Sequence, residues 1–172
     1  MKISVTGATG YIGGRLINLA ICRSHEVVAA SRRPVSPALC WMPFELSSTA
    51  AIVLPPGTNA VIHLAADTSP AAGVDDEHEV LAARSLIAAT QQLAAKFVFV
   101  SSQTARPDAP TVYGRTKWRI EQAVLAAGGW VVRPGQVYGG CERGLFGQLV
   151  GAVRRLPVIP AFLLSLIHIS EP

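Results

Sequence analysis

The sequence predicts an α/β fold, a doubly wound parallel sheet with helices on both faces. Three observations carry it. Short apolar runs alternate with helix-length stretches along the chain. The runs are apolar throughout rather than alternately polar, as strands covered on both faces require. A glycine-punctuated turn joins the first run to the first helical stretch.

The elements follow in order. Residues 2–6 read as the first strand, 7–10 as a turn, and 11–23 as a helix with Ile12, Leu16, Leu19 and Ala20 on its apolar face. Residues 26–31 form a second strand, stopped by Pro34 and Pro37, since a central strand cannot pass through proline. Residues 41–46 make a third strand and 47–54 a short helix or turn, broken by Pro55-Pro56-Gly57. Residues 60–64 are the fourth strand, followed by a polar loop and a long helix over 77–95. Residues 96–101 are the fifth strand. A loop with Pro107 and Pro110 then leads to a helix over 112–127, stopped by Gly128-Gly129. Residues 130–133 are the sixth strand, 135–144 a glycine-rich loop and 145–155 a helix. The expected strand order is 3-2-1-4-5-6.

Composition fits one globular domain over residues 1–163. The 172 residues are half hydrophobic and 15% charged, which excludes a disordered chain. The net charge of +4 comes from scattered basic residues, paired only at Arg32-Arg33 and Arg154-Arg155, so nucleic acid is not an expected partner. Cys22, Cys40 and Cys141 are odd in number and lack CxxC spacing, which suggests neither a disulfide framework nor a metal site. No leader precedes the first strand and no apolar run reaches the roughly 18 residues of a membrane span, so a cytoplasmic chain is expected. Residues 164–172, LSLIHISEP, back-translate to a transposon-end sequencing adapter read in frame. They are expected to be a non-native tail, with the natural gene continuing and most of the substrate region missing.

Gly7, Gly10 and Gly13 form GxxGxxG between the first strand and first helix. Glycine lets the backbone turn tightly and approach a diphosphate without a Cβ in the way, and the helix opening offers amides and a positive dipole end to the anion. The order strand, glycines, helix predicts a Rossmann-type NAD(P) site. An NAD site usually carries a carboxylate at the end of the second strand, on the ribose hydroxyls. Here Ser31, Arg32 and Arg33 stand there. Arginine attracts a 2′-phosphate that a carboxylate repels, so NADP(H) is favoured and NAD(H) is the alternative, with Ser31 a neutral contact to either.

Tyr113 and Lys117 are four residues apart on a predicted helix, hence on one face. A tyrosine near pKa 10 carries protons poorly at neutral pH. A neighbouring ammonium and a cationic nicotinamide are expected to lower it. Ser102 lies at the end of the fifth strand, on the edge where ligands of such sheets bind.

The chain resembles the short-chain dehydrogenase/reductase superfamily, and within it the extended branch, the NAD-dependent epimerase/dehydratase family. The resemblance rests on TGATGYIG at 6–13, VIHLAA at 61–66, VSS at 100–102, YGRTK at 113–117, Arg133-Pro134 and Val137-Tyr138-Gly139. It implies a catalytic triad of Ser102, Tyr113 and Lys117. It implies a cofactor held by Gly7, Thr9, Gly10, Tyr11, Ile12 and Gly13, by Leu64, Ala65 and Ala66, by Tyr113 and Lys117, and by the backbone at Pro134 and Val137. Three features depart from the family pattern. Leu81 stands where the family often has asparagine. Tyr113 follows Ser102 by only eleven residues, which removes surface that shapes a sugar-nucleotide pocket. The acidic residue expected after the third strand is Glu45 or absent.

Other residues read as structural. His63 is expected in the core, Trp118 and Trp130 as packing residues and Cys141 as inert. The acids from Asp75 to Glu79 are expected to favour a helix dipole rather than a metal. The expected activity is hydride transfer between nicotinamide and a hydroxyl- or carbonyl-bearing carbon of a small-molecule substrate, in a chain compatible with a homodimer. The alternative is a non-catalytic dinucleotide-binding regulator or assembly factor on the same fold, which retention of both Tyr113 and Lys117 disfavours.

Overall fold

The computed structural model describes residues 1–67, 77–135, 137, 150–151 and 153–155. The chain divides into two compact units, Met1–Gly135 and Gln136–Pro172. The first contains β1 (Lys2–Thr6), α1 (Tyr11–Cys22), β2 (Glu26–Ser31), β3 (Cys40–Pro43), β4 (Thr58–His63), α2 (Glu77–Gln92), β5 (Lys96–Val100), α3 (Val112–Ala126) and β6 (Trp130–Val132). In the second, residues 150, 151 and 153–155 are helical, within the span where a helix is expected. The glycine loop apart from Gly135 and Val137, Cys141, Asp75, Asp76 and the tail at 164–172 lie outside the described residues.

The six strands form one sheet in the order β3-β2-β1-β4-β5-β6, as the sequence predicts. Every pairing is parallel. All strands therefore end on one edge, and the strand order reverses between β1 and β4, where ligands of such sheets bind. Alternate residues of β2 face opposite ways. Val27 and Ala29 pack with Ile17 and Ala20 of α1. Val28 and Ala30 join Leu86 and Ile87 of α2 and Ile120 and Val124 of α3 in the larger core. Among the described residues no helix is long and apolar enough to cross a membrane.

Four expectations need correction. The buried face of α1 is Gly13, Ile17 and Ala20, while Leu19 is 48% exposed and Ile12 36%. Small residues let the helix lie close on the sheet, so the buried stripe is not the one richest in large apolar groups. β3 ends at Pro43, three residues early. Residues 47–54 hold no helix. The Ser48 hydroxyl accepts from the Ala50 amide at 3.2 Å, the local competition by which serine disfavours helix. Trp130 is 61% exposed rather than packed, at the start of the edge strand β6.

Candidate active site

The site is built from loops at the C-terminal strand edge. After β1 the chain turns through Gly7 at φ +66°, a left-handed conformation that suits glycine. A Cβ on Gly7 would meet the Ala65 nitrogen at 2.8 Å and the Leu64 carbonyl carbon at 2.9 Å. A Cβ on Gly13 would collide with the Gly7 carbonyl oxygen. The two glycines thus pack the turn against both its own helix and the exit of β4. The Gly10 amide donates to the Gly7 carbonyl at 2.9 Å. No side chain caps α1, and no acid stands in its first turn. A helix opening without a side-chain cap or a first-turn acid presents positive potential to an anion.

A hydroxyl clasp fixes the β4 exit. The Thr6 hydroxyl accepts from the amides of Leu64 at 3.1 Å and Ala65 at 3.2 Å. With both lone pairs engaged, it donates to His63 Nδ1 at 2.7 Å. His63 is fully buried among Phe44, Phe97 and Phe99, and burial first, then the Lys117 charge, lowers its pKa to about 3. It is a neutral core histidine, as expected.

At the end of β2, the Ser31 hydroxyl is buried and donates to the Arg33 carbonyl at 2.6 Å, so it is committed to its own loop. Arg32 and Arg33 are exposed. A cleft of about 440 Å³ opens beside β3, lined by Arg32, Met42, Phe44, Glu45, Ser48 and Ile52. The acid that the sequence left uncertain after the third strand thus shares a cleft with the arginine.

At the end of β5, Ser102 and Tyr113 come together, the serine hydroxyl close enough to the phenol to favour its ionised form. Ser102 Oγ also accepts from the Thr104 amide at 3.2 Å and lies 2.9 Å from the Thr104 hydroxyl. Thr111 caps α3, its hydroxyl accepting from the Gly114 amide at 3.1 Å. Gly114 leaves room for the short loop before it: a Cβ there would meet Ala109 Cβ at 2.6 Å and the Thr104 carbonyl at 2.7 Å. Lys117 sits one turn beyond Tyr113 and is only 2% exposed. Its ammonium reaches the Val100 carbonyl at 3.4 Å and lies 4.6 Å from the Phe99 ring centre and 5.5 Å from that of Tyr113.

The electrostatics differ from expectation. Burial pushes the Tyr113 phenol up from its ordinary value. The Glu79 carboxylate pushes the same way, and the hydrogen bond with Ser102 pulls it back. Burial lowers Lys117 to about 8, against the upward pull of Glu79 and Glu121. The lowering is expected from the lysine together with a bound nicotinamide; among the chain's own groups the balance runs upward, burial first and Glu79 second, and Glu79 is the residue that sequence reasoning missed. It was read as a helix-dipole acid, yet it is 5% exposed and accepts from the Asp67 amide at 2.7 Å. The one signal available was its place two residues inside α2, beside apolar Val80.

Pro134 directly follows Arg133, whose guanidinium grips the buried Glu121 carboxylate through two hydrogen bonds. Val137 belongs to the second unit and is exposed.

The comparisons agree with this architecture. Ceramide reductase of Caulobacter vibrioides (strain NA1000 / CB15N) is 28% identical over 186 aligned residues, which cover 98% of this chain and 57% of the relative. The solved structure of MoeE5 in complex with UDP-glucose and NAD matches with a TM-score of 0.73 at 28% identity, over 92% of this chain and 63% of that one. A UDP-galactose 4-epimerase shares the fold, with a TM-score of 0.70 at 23% identity over 91% of this chain and 64% of the other. The chain spans less than two thirds of the length of each. The NAD dependent epimerase/dehydratase family matches residues 3–144, and with the six-stranded parallel sheet and its glycine turn this leads to one conclusion: the chain belongs to that family.

Proposed function

We propose that this chain carries the dinucleotide site and the proton-transfer group of an NAD(P)-dependent enzyme acting on a hydroxyl- or carbonyl-bearing carbon of a small-molecule substrate. The observation that carries the reading is a convergence on one sheet edge. There, a helix opening with no side-chain cap follows a turn closed to a Cβ at Gly7 and Gly13, and Ser102 and Tyr113 stand together with a buried lysine behind them.

The residues fit the cofactor. Gly7, Thr9, Gly10, Tyr11, Ile12 and Gly13 would hold the diphosphate, and Leu64, Ala65 and Ala66 would run beside the adenosine ribose. Pro134 and Val137 would flank the nicotinamide. A bound nicotinamide supplies the hydride chemistry. Ser102 hydrogen-bonds the substrate oxygen and holds it toward Tyr113. The Tyr113 hydroxyl gives a proton to that oxygen or takes one from it. Lys117 keeps a positive charge one turn away, which favours the phenolate when the proton leaves. Arg32 and Arg33 favour NADP(H), because exposed guanidinium groups at the end of β2, Arg32 lining the cleft beside β3, attract a 2′-phosphate. The NAD bound by MoeE5 supports a nicotinamide cofactor without deciding between the two forms.

The test is Tyr113→Phe in the full-length protein. Turnover is expected to fall by about 10²–10⁴-fold, the range for losing a positioned acid–base group, with cofactor affinity little changed. Unchanged turnover removes the catalytic role and leaves a dinucleotide-binding protein. Fluorescence titration with NADPH and NADH checks the cofactor preference, and tighter NADH binding refutes the role of Arg32 and Arg33.

A further inference from the structure

We propose that Glu79 is a positioning residue of this site, a buried carboxylate that clamps the chain at Asp67 and holds a negative charge beside the Tyr113–Lys117 pair. The proposal rests on the reading of Tyr113 as the proton carrier.

The geometry begins with the strap that leaves β4. Its first two amides, Leu64 and Ala65, are held by the Thr6 hydroxyl. Its far end, the Asp67 amide, donates to Glu79 Oε1 at 2.7 Å. The segment packed against Gly7 is therefore pinned at both ends. Glutamine could accept that one hydrogen bond equally well. A buried carboxylate is costly unless opposing charge compensates it. Burial raises the Glu79 carboxyl above its ordinary value, and the Asp67 amide, then the charge of Lys117, 2% exposed on α3, pull it back. The other buried carboxylate near Lys117, Glu121, is occupied by the Arg133 guanidinium.

The charged and titratable groups that act with Glu79 are Lys117 and Tyr113 on α3, Asp67 beyond β4 and His78 on α2 itself, while His63 at the end of β4 and Glu121 on α3 act with Lys117. His63 is neutral in the folded chain above about pH 3, so it does not change charge in the range where a phenol titrates.

The test uses three substitutions and two readouts. The phenol of Tyr113 is titrated by phenolate absorbance, as the difference from Tyr113→Phe in each background. Dinucleotide affinity is read by NADPH and NADH fluorescence. Glu79→Gln keeps the acceptor and removes the charge. The phenol is expected to ionise at lower pH than in the parent, with dinucleotide affinity retained. Glu79→Leu removes both, and affinity is expected to fall about tenfold as the strap loses its far anchor. Glu79→Asp keeps the charge on a shorter stem. It should titrate like the parent and bind like Glu79→Leu. If Glu79→Gln leaves the phenol titration unmoved, or Glu79→Asp matches Glu79→Gln, the electrostatic role is refuted. Undiminished affinity in Glu79→Leu refutes the clamp. Because the titration reads the phenol whether or not Tyr113 catalyses, full turnover in Tyr113→Phe would overturn the catalytic reading without touching this result.

Discussion

The openings of α1 and α3 both lie at the C-terminal edge of the sheet, and they are built in opposite ways. α1 begins at Gly10 with no side-chain cap and no acid in its first turn. α3 begins at Thr111, whose hydroxyl takes the Gly114 amide, and its Arg115 guanidinium donates to the Ala109 carbonyl at 2.6 Å. The first helix opens with no side chain set against its amides. The second satisfies its opening internally and spends its first turns on presenting Tyr113 and Lys117. The difference teaches that binding and proton transfer ask for different local economies. An anion site needs unsatisfied donors, whereas a reactive side chain needs a rigid mount.

The largest expected effect comes from acid acting on the clasp beneath the first opening. In the folded chain His63 titrates near 3, against an ordinary value of 6.5. As pH falls below 6.5 the unfolded chain takes up a proton that the folded chain refuses until about pH 3. Stability should therefore drop across that window, by up to about 5 kcal/mol. Urea unfolding of the parent and of His63→Asn at pH 7 and pH 4 isolates this contribution, since the other acids cancel in the difference. Equal losses in the two proteins would falsify the assignment.

A pair of glycine substitutions breaks the two regions separately. In Gly13→Ala the new Cβ meets the backbone of Gly7, which has no freedom to yield. We expect a cost of about 3 kcal/mol, at the upper end for overpacking, and loss of dinucleotide binding. In Gly114→Ala the Cβ meets the Ala109 methyl and the Thr104 carbonyl, in the loop that carries Ser102 rather than in the glycine turn. The expected cost is about 2 kcal/mol. Dinucleotide binding should survive, while turnover in the full-length protein falls because Thr104 carries Ser102. Unfolding curves with NADPH and NADH titrations check both. The comparison fails if Gly114→Ala loses binding or Gly13→Ala keeps it.

These two regions were also unequally legible in the sequence. The glycine turn declares itself because its constraint is local: strand, tight turn and helix occur within a dozen residues, and only glycine meets the geometry. Tyr113 and Lys117 declare their shared face through helical spacing. Glu79 does not, because its burial depends on α2 meeting the exit of β4 and a lysine on another helix. The direction of the Tyr113 shift is hidden for the same reason, since Lys117 is visible in the sequence, whereas the burial of the phenol and, after it, the opposing Glu79 carboxylate are not. The buried face of α1 was misread because ranking large apolar residues favours Leu19. Packing close to the sheet favours Gly13, Ile17 and Ala20 instead.

The smallest expected effect sharpens the comparison most directly, by exchanging the two caps. Thr111→Ala removes the acceptor of the Gly114 amide and should cost about 1 kcal/mol, the usual value of an N-cap hydroxyl. Gly10→Asp does the reverse at α1. Gly10 sits in extended backbone at φ −76° and ψ 169°, a conformation aspartate adopts, with its Cβ 3.2 Å from the Gly7 carbonyl oxygen. Replacing a glycine N-cap by aspartate changes helix stability by only a few tenths of a kcal/mol, so the fold should barely respond. Dinucleotide affinity should respond strongly, because the new carboxylate takes the first-turn amides and repels the diphosphate. The informative outcome is thus a stability change at α3 without loss of binding, set against a binding loss at α1 without loss of stability. If Gly10→Asp binds NADPH and NADH as the parent does, the opening of α1 is not where the anion rests.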